Sequence, residues 1–206
     1  DGSDLHAIVR DARLPRTIIG IFAGVALGGC GALIQAYTRN PLADPGILGV
    51  NAGATFAITM GAGFLGLRAP MQYVWLSVGG ALVVTLLVYG IGRASREGAT
   101  PIRMTLAGVA LGAILSGLSA VIILKNLQVF SALQFWSMGS LGGRNAEVIT
   151  TVAPFIALGQ LVAILAARSL NAIALGDDLG ASLGVNIPLA RGLAIAGVTL
   201  LAGSAV

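Results

Sequence analysis

The chain has 206 residues, of which 56% are hydrophobic and only 10% are charged, and its mean hydropathy is +0.92. An ordinary soluble domain carries about 25% charged residues, so this composition excludes a water-soluble fold. The formal net charge is +4, but the basic residues are scattered along the chain, which argues against a nucleic-acid partner. The single cysteine, Cys30, excludes an intrachain disulfide and a thiolate metal site, and no metal site is predicted.

Seven long charge-free runs dominate the sequence. They cover residues 17–38, 45–67, 69–92, 104–124, 126–143, 148–167 and 192–206. A helix needs about 20 apolar residues to cross a hydrocarbon core of roughly 30 Å, and most of the runs have that length. Strands of a membrane barrel would alternate apolar and polar residues, whereas residues 18–34 are apolar on every face. The pattern predicts an all-α, polytopic transmembrane helix bundle.

The predicted helices follow these runs in chain order. The first covers about 15–37 and starts at Pro15, which a first turn tolerates. A rigid re-entrant turn with two prolines follows, then a short helix at 48–64 and longer ones at 73–91, 104–124 and 148–167. A connector with a short interfacial helix joins the last two. The final run, 192–206, is too short for a comfortable crossing, and the N-terminus lacks a signal-peptide layout. We therefore expect a chain truncated at both ends.

Positive charge favours one orientation only weakly. The arginines placed in the cytoplasm are Arg39, Arg93, Arg96, Arg103, Arg168 and Arg191, and the basic residues left outside are Arg10, Arg13, Arg16, Arg68, Lys125 and Arg144. Each side thus has six basic residues. Without Arg10, Arg13 and Arg16, whose neighbouring span is expected to be missing, the count is six inside and three outside, which favours this orientation.

Glycines recur at intervals of four residues in two of the predicted helices. Gly20, Gly24 and Gly28 form one stripe, and Gly108 with Gly112 forms another. Small residues allow helices to approach closely in lipid. Tight packing within the bundle is the favoured interpretation, and a groove that faces a substrate is the alternative.

The energy source for any transport is predicted to lie outside this chain. A phosphate-binding loop needs a lysine after glycine, whereas Lys125, the only lysine, follows Leu124. The predicted helices also lack the buried acidic or histidine residues that proton- and sodium-driven carriers use as relays. The chain itself is therefore not expected to be an enzyme, and any ATP would be bound by another subunit.

Three stretches carry more specific information. The first begins with Arg13, Pro15 and Arg16 and continues through Gln35 into residues 39–49, which read RNPLADPGILG. The second is residues 174–185, ALGDDLGASLGV, and the third is residues 136–143, WSMGSLGG. Together, and in their order along the chain, they resemble the FecCD permease family, the membrane subunits of ABC importers for iron-siderophores, haem and vitamin B12.

The resemblance implies a type II ABC importer permease in the bacterial inner membrane. It implies a homodimer, in contact with membrane lipid, that works with a cytoplasmic ATPase dimer and a periplasmic substrate-binding protein. This chain would bind no cofactor, since ATP and Mg²⁺ would lie in the ATPase subunit. Family members usually have ten spans, so residues 1–206 would form one permease domain holding about spans 2 to 7. A stand-alone channel or secondary carrier, and a structural membrane scaffold, remain as alternatives.

The second stretch predicts a short exposed helix. Asp177 and Asp178 suit its positive N-terminal end, Gly184 is placed to stop it, and Leu179 and Leu183 share one apolar face. These residues alone fit either an ordinary capped loop helix or a docking element. The resemblance implies a coupling helix that inserts into a groove of the ATPase. The residues assigned to coupling are Leu175, Gly176, Asp177, Asp178, Leu179, Ala181, Leu183 and Gly184. Gly180 replaces the alanine usual in the family, which predicts a less rigid helix.

The resemblance also gives expectations for the other stretches. Arg13 and Arg16 fit simple anchoring at the membrane interface, and the family implies that they contact carboxylates of the periplasmic binding protein. The cytoplasmic gate would be Thr100, Pro101 and Ile102, with Pro101 as a departure from the family pattern. The residues expected to form the structural motif of the re-entrant turn are Gln35, Asn40, Pro41, Pro45 and Gly49.

Overall fold

The structure, a computed structural model, describes residues 8–94, 100–126 and 146–205, together with 6, 129–131, 133, 134 and 139. Regular structure throughout this described part is helical. The helices are α1 Leu14–Thr38, α2 Val50–Phe64, α3 Pro70–Arg93, α4 Pro101–Lys125, α5 Ala146–Ala174, α6 Asp177–Ser182 and α7 Ile187–Ala205. A π-helical turn, Val9–Arg13, precedes α1, and a 3₁₀ helix, Pro45–Leu48, precedes α2. The all-α prediction is confirmed.

Five of the described helical segments are long and apolar enough to cross a membrane. They are Val9–Thr38, Met71–Arg93, Pro101–Lys125, Val148–Ala174 and Ile187–Ala205. The α2 helix has 15 residues and rises about 22 Å at 1.5 Å per residue, which is less than the hydrocarbon thickness. The charge-free run 45–67 is thus a re-entrant turn followed by a short helix. The polytopic membrane fold is confirmed.

Two helix boundaries differ from the prediction because charges do not stop these helices. The α5 helix continues past Arg168 to Ala174, and α7 begins at Ile187, ahead of Arg191. The prediction that the final run is too short to cross was therefore wrong. At the other end, α1 begins at Leu14 with Pro15 in its first turn, as predicted, and it continues directly from the π-helical turn Val9–Arg13. The wider π turn lies just before Pro15, which has no N–H to donate to the preceding turn.

The α7 helix lies at the centre of the bundle, against α1, α3 and α5. Its buried face consists largely of small residues, which allow three neighbours to approach one helix. The buried residues of α7 are Ala190, Ala194, Ile195, Gly197, Val198, Thr199, Leu201, Ala202 and Gly203. A second, smaller cluster is formed by Ile58, Tyr73, Val129 and Leu133. The α2 helix packs against α3 and α4, so the re-entrant segment is enclosed by neighbouring helices.

The two glycine stripes have different surroundings. A Cβ on Gly108 would lie 2.8 Å from the Cα of Leu48, so the start of α4 touches the backbone of the re-entrant turn directly. A Cβ on Gly24 or Gly28 would meet no atom of the described chain within 4 Å. Close packing is therefore confirmed for Gly108, whereas Gly24 and Gly28 lie on an outer face of α1.

Candidate coupling site

The re-entrant turn begins where α1 ends in a left-handed residue. Arg39 has φ of 51° and its N–H donates to the carbonyl of Gln35. The N–H of Asn40 donates to the same carbonyl at 3.2 Å. The Asn40 side chain then accepts the N–H of Leu42 at 2.9 Å, so the asparagine closes a local turn as this residue type commonly does. Pro41 lies exposed between them.

The second half of the turn carries the chain back into the bundle. The carboxylate of Asp44 accepts the N–H of Gly46 at 2.7 Å and caps the 3₁₀ helix that Pro45 opens. Gly49 ends this helix with φ of 75°, a conformation that favours glycine. Leu48 is fully buried. Four of the five residues predicted as a structural motif, Gln35, Asn40, Pro45 and Gly49, thus take part in forming the turn.

The α6 helix has the form that its sequence predicts. It starts after Gly176, which has φ of 128°, and it ends at Ser182. The N–H of Gly184 donates to Ala181 at 2.9 Å and that of Val185 donates to Gly180 at 3.1 Å. This pair of bonds, with φ of 78° at Gly184, is a Schellman stop. The predicted role of Gly184 as the stop is consistent with this geometry.

The apolar side chains of α6 point away from the bundle. Leu179 is 56% exposed and Leu183 is 66% exposed, and Leu175 just before the helix is 68% exposed. Gly180, the next residue after Leu179, is buried against Ile173 of α5. A short helix that is anchored by its glycine face and presents leucines outward has the geometry of a docking element.

An ion-pair bridge connects the re-entrant turn, α6 and α7. One oxygen of the Asp177 carboxylate accepts a hydrogen bond from Nη2 of Arg39, and the other accepts one from Nη2 of Arg191 at 2.7 Å. The three residues were predicted to lie on the same side of the membrane, but their pairing was not predicted. The sequence did hold one indication of this pairing. Arg39 and Asp177 both lie in stretches that resemble the family, and Arg191 follows the second of these stretches by a few residues.

The residues predicted for the other roles lie apart from this bridge. Arg13 and Arg16 are exposed at the start of α1, and Arg39 lies 23 positions after Arg16, which corresponds to roughly 35 Å along a helix. Thr100 precedes α4, Pro101 is its first residue and Ile102 is 75% exposed. Of the stretch 136–143, only Gly139 belongs to the described residues.

The sequence pattern of the FecCD transport family matches residues 1–206. The chain belongs to the FecCD transport family. The ferric enterobactin transport system permease protein FepD of Escherichia coli (strain K12) is 45% identical over 198 residues, which are 96% of this chain and 59% of that protein. The probable siderophore transport system permease protein YfiZ of Bacillus subtilis (strain 168) is 38% identical over 206 residues, all of this chain and 62% of that protein.

A solved structure supports the same fold. It is described as an inward-facing conformation of a metal-chelate type ABC transporter, shares 25% sequence identity and superimposes with a TM-score of 0.81. The match covers 97% of this chain and 63% of that one. The FecCD chain therefore spans about three fifths of the length of these relatives.

The FecCD bundle also contains a polar groove between α2 and α4. Its volume is about 410 Å³, and its polar lining residues are Asn51, Thr55, Ser116 and Ser119. The hydroxyl of Ser119 is buried and has no hydrogen-bond partner among the described residues. Gly108 and Gly112 line the same groove, so the second glycine stripe borders a groove as well as packing against the re-entrant turn, and a substrate in this groove stays a prediction.

Proposed function

We propose that this chain is the membrane-spanning permease subunit of an ABC importer that carries iron-siderophore, haem or cobalamin-type chelates across the bacterial inner membrane. The match to the FecCD family over residues 1–206 carries the proposal. It is supported by the relatives named for ferric enterobactin and siderophore transport, and by the exposed leucines of α6. A stand-alone channel or secondary carrier and a membrane scaffold are disfavoured by this membership.

The chain performs no covalent chemistry in this proposal. A separate cytoplasmic ATPase dimer binds ATP and Mg²⁺, and a homodimer of the permease forms the path through the lipid. Closure of the ATPase pair pushes on α6, and rigid-body movement of the helices opens the path to alternate sides. Thr100, Pro101 and Ile102 form the cytoplasmic gate, where a proline at the first helical position fixes the start of α4.

The α6 helix and its flanks provide the docking site for the ATPase. Leu179 and Leu183 enter an apolar groove of the partner, since more than half of each side chain is exposed in this chain. The start, the exposed surface and the end of this element are formed by Leu175, Gly176, Asp178, Ala181 and Gly184. A few apolar residues commonly carry most of the binding energy of such a contact.

Replacement of Leu183 by Asp in the full-length permease tests this function. The charge should oppose burial in the apolar groove, so that the ATPase subunit no longer copurifies and chelate uptake is lost. Leu65→Asp is the matched control, because Leu65 is 70% exposed in the turn between α2 and α3. Retention of both ATPase binding and uptake in Leu183→Asp would refute the assignment. Stimulation of ATP hydrolysis by the reconstituted wild-type permease separates an importer from a channel or a scaffold.

A further inference from the structure

A single carboxylate ties the proposed coupling element to two other helices. Asp177 is the first residue of α6, Arg39 follows the last residue of α1, and Arg191 lies in the second turn of α7. The Asp177 carboxylate accepts from both guanidinium groups, one at each oxygen. Because α1 and α7 pack against each other in the bundle, the bridge attaches α6 to a rigid part of the molecule.

Two features distinguish this bridge from an ordinary surface ion pair. The Arg191 side chain is only 18% exposed, so one partner is held in place by its surroundings. Arg39 has φ of 51°, a conformation for which glycine or asparagine is usual at a helix end. The contact of its side chain with Asp177 is a physical reason for an arginine at this strained position. Charge-assisted bonds at both oxygens also fix the carboxylate geometrically.

The rest of α6 is held by few contacts. Six residues are too few for a helix to be stable by itself. Gly180 packs against Ile173 on the inner face, while Leu179 and Leu183 point outward. Without the bridge, α6 would keep its packing against α5 and a smaller contact with α7.

We propose that Asp177 is a positioning residue that makes α6, the end of α1 and the start of α7 move as one unit. This inference rests on the proposed function of α6 as the ATPase docking element. The leucines bind the partner, and the bridge transmits the displacement to the membrane helices. The ATPase can therefore bind without the bridge, but its closure then moves α6 without moving α1 and α7.

The test uses Asp177→Asn in the full-length permease, reconstituted with its ATPase subunits and binding protein. The asparagine keeps the size of the side chain and removes its charge. ATPase binding and ATP hydrolysis should persist, while iron transported per ATP should fall roughly fivefold or more, as expected for the loss of an allosteric coupling. The transported probe is radioactive iron, supplied as the enterobactin, hydroxamate or citrate chelate that the wild-type complex carries best.

Asp11→Asn is the matched control. It makes the same chemical change at an exposed carboxylate in the π-helical turn before α1, at the opposite end of α1 from Arg39. It should transport as the wild type does. Arg191→Gln should reproduce the loss seen in Asp177→Asn, and Asp177→Glu should restore part of it. Loss of ATPase binding in Asp177→Asn would instead make Asp177 a docking residue and overturn the proposal.

A second measurement does not depend on transport. Spin labels on Ser182→Cys and Leu42→Cys, in a Cys30→Ala background, report the distance between α6 and the re-entrant turn. The distribution should broaden in Asp177→Asn and stay narrow in Asp11→Asn. If both the distance distribution and the iron transported per ATP are unchanged in Asp177→Asn, the proposed role of the bridge is refuted. The docking role of α6 would still stand in that case if Leu183→Asp releases the ATPase. Unchanged binding in Leu183→Asp would refute the docking role itself.

Discussion

Gln160 of α5 occupies the space that Gly29 of α1 leaves open. A Cβ on residue 29 would lie 2.7 Å from Oε1 of Gln160, closer than real Cβ contacts come. The amide nitrogen of Gln160 donates to the carbonyl of Val25 at 2.5 Å. A polar side chain and a glycine thus join two membrane helices at one point. Where lipid offers no hydrophobic drive for association, packing and interhelical hydrogen bonds supply the attraction.

Gln160→Leu should weaken the contact between α1 and α5. Interhelical hydrogen bonds of this type contribute about 0.6 kcal/mol on average and up to about 2 kcal/mol, so a measurable fall in the melting temperature of the detergent-solubilised protein is expected. Thr199→Val is the control, because Thr199 donates to Ile195 of its own helix at 2.8 Å. An equal fall in both variants would show that the bond between helices has no special role.

Gly108→Ala should destabilise the protein although alanine favours helices. The new methyl group would lie 2.8 Å from the Cα and 2.9 Å from the carbonyl carbon of Leu48, and overpacking of this kind typically costs about 1–3 kcal/mol. Gly117→Ala in the same helix meets no atom of the described chain within 4 Å. It should leave stability unchanged or raise it by up to about 1 kcal/mol. Thermal unfolding of both variants checks the sign, and stabilisation by Gly108→Ala would contradict the observed contact.

Gly184→Ala and Gly180→Ala should shift the stability of α6 in opposite directions. Gly184 has φ of 78°, and left-handed geometry costs an L-residue about 1–2 kcal/mol. A Cβ on Gly180 would lie 3.5 Å from Cγ1 of Ile173, an ordinary contact, so alanine should gain up to about 1 kcal/mol of helix stability. Hydrogen exchange across residues 177–185 measures both effects. Faster exchange in Gly180→Ala would show that the glycine is needed there.

Arg13→Glu combined with Arg16→Glu should weaken association with the periplasmic binding protein. The two arginines are exposed three positions apart, and close charge pairs across interfaces can couple by roughly 1.5 kcal/mol or more. Association should slow most at low salt, while basal ATP hydrolysis of the membrane complex should remain. Restoration by Lys at matching Glu residues of the binding protein would identify the contact. Unchanged affinity at low ionic strength would leave both arginines as interface anchors.

Cysteine labelling should place Arg93 in the cytoplasm and Arg144 in the periplasm. Arg93 ends α3, while Arg144 lies outside the described residues. Each position is replaced by Cys in a Cys30→Ala background and treated with an impermeant maleimide in spheroplasts. Position 144 should react and position 93 should not. Arg68→Cys, at the opposite end of α3 from Arg93, should react like position 144. The reverse pattern would invert the proposed orientation.

The membrane fold and its local turns follow from the order of the residues along the chain. A charge in hydrocarbon is costly, so the spacing of the charged residues gave the approximate places of the crossings. Turn chemistry is equally local: Pro45 opens the 3₁₀ helix and Gly184 stops α6, because fixed φ and left-handed geometry are properties of those residue types. The predicted end of α5 at Arg168 and the predicted start of α7 after Arg191 were wrong, because a charge near a helix end can be solvated or paired.

Which helix surfaces contact each other follows only from the packing of the whole bundle. Spacing marks Gly24 and Gly108 alike as small residues of a stripe, but only Gly108 touches another backbone. Asp177 pairs with Arg39, which is 138 positions away in the chain. Periodicity assigns a residue to a face of its helix and does not say which helix lies opposite that face. The opposing helix is fixed by the simultaneous packing of all the helices. The ion pairs of Asp177 with Arg39 and Arg191 therefore follow from the packed bundle and not from the sequence pattern.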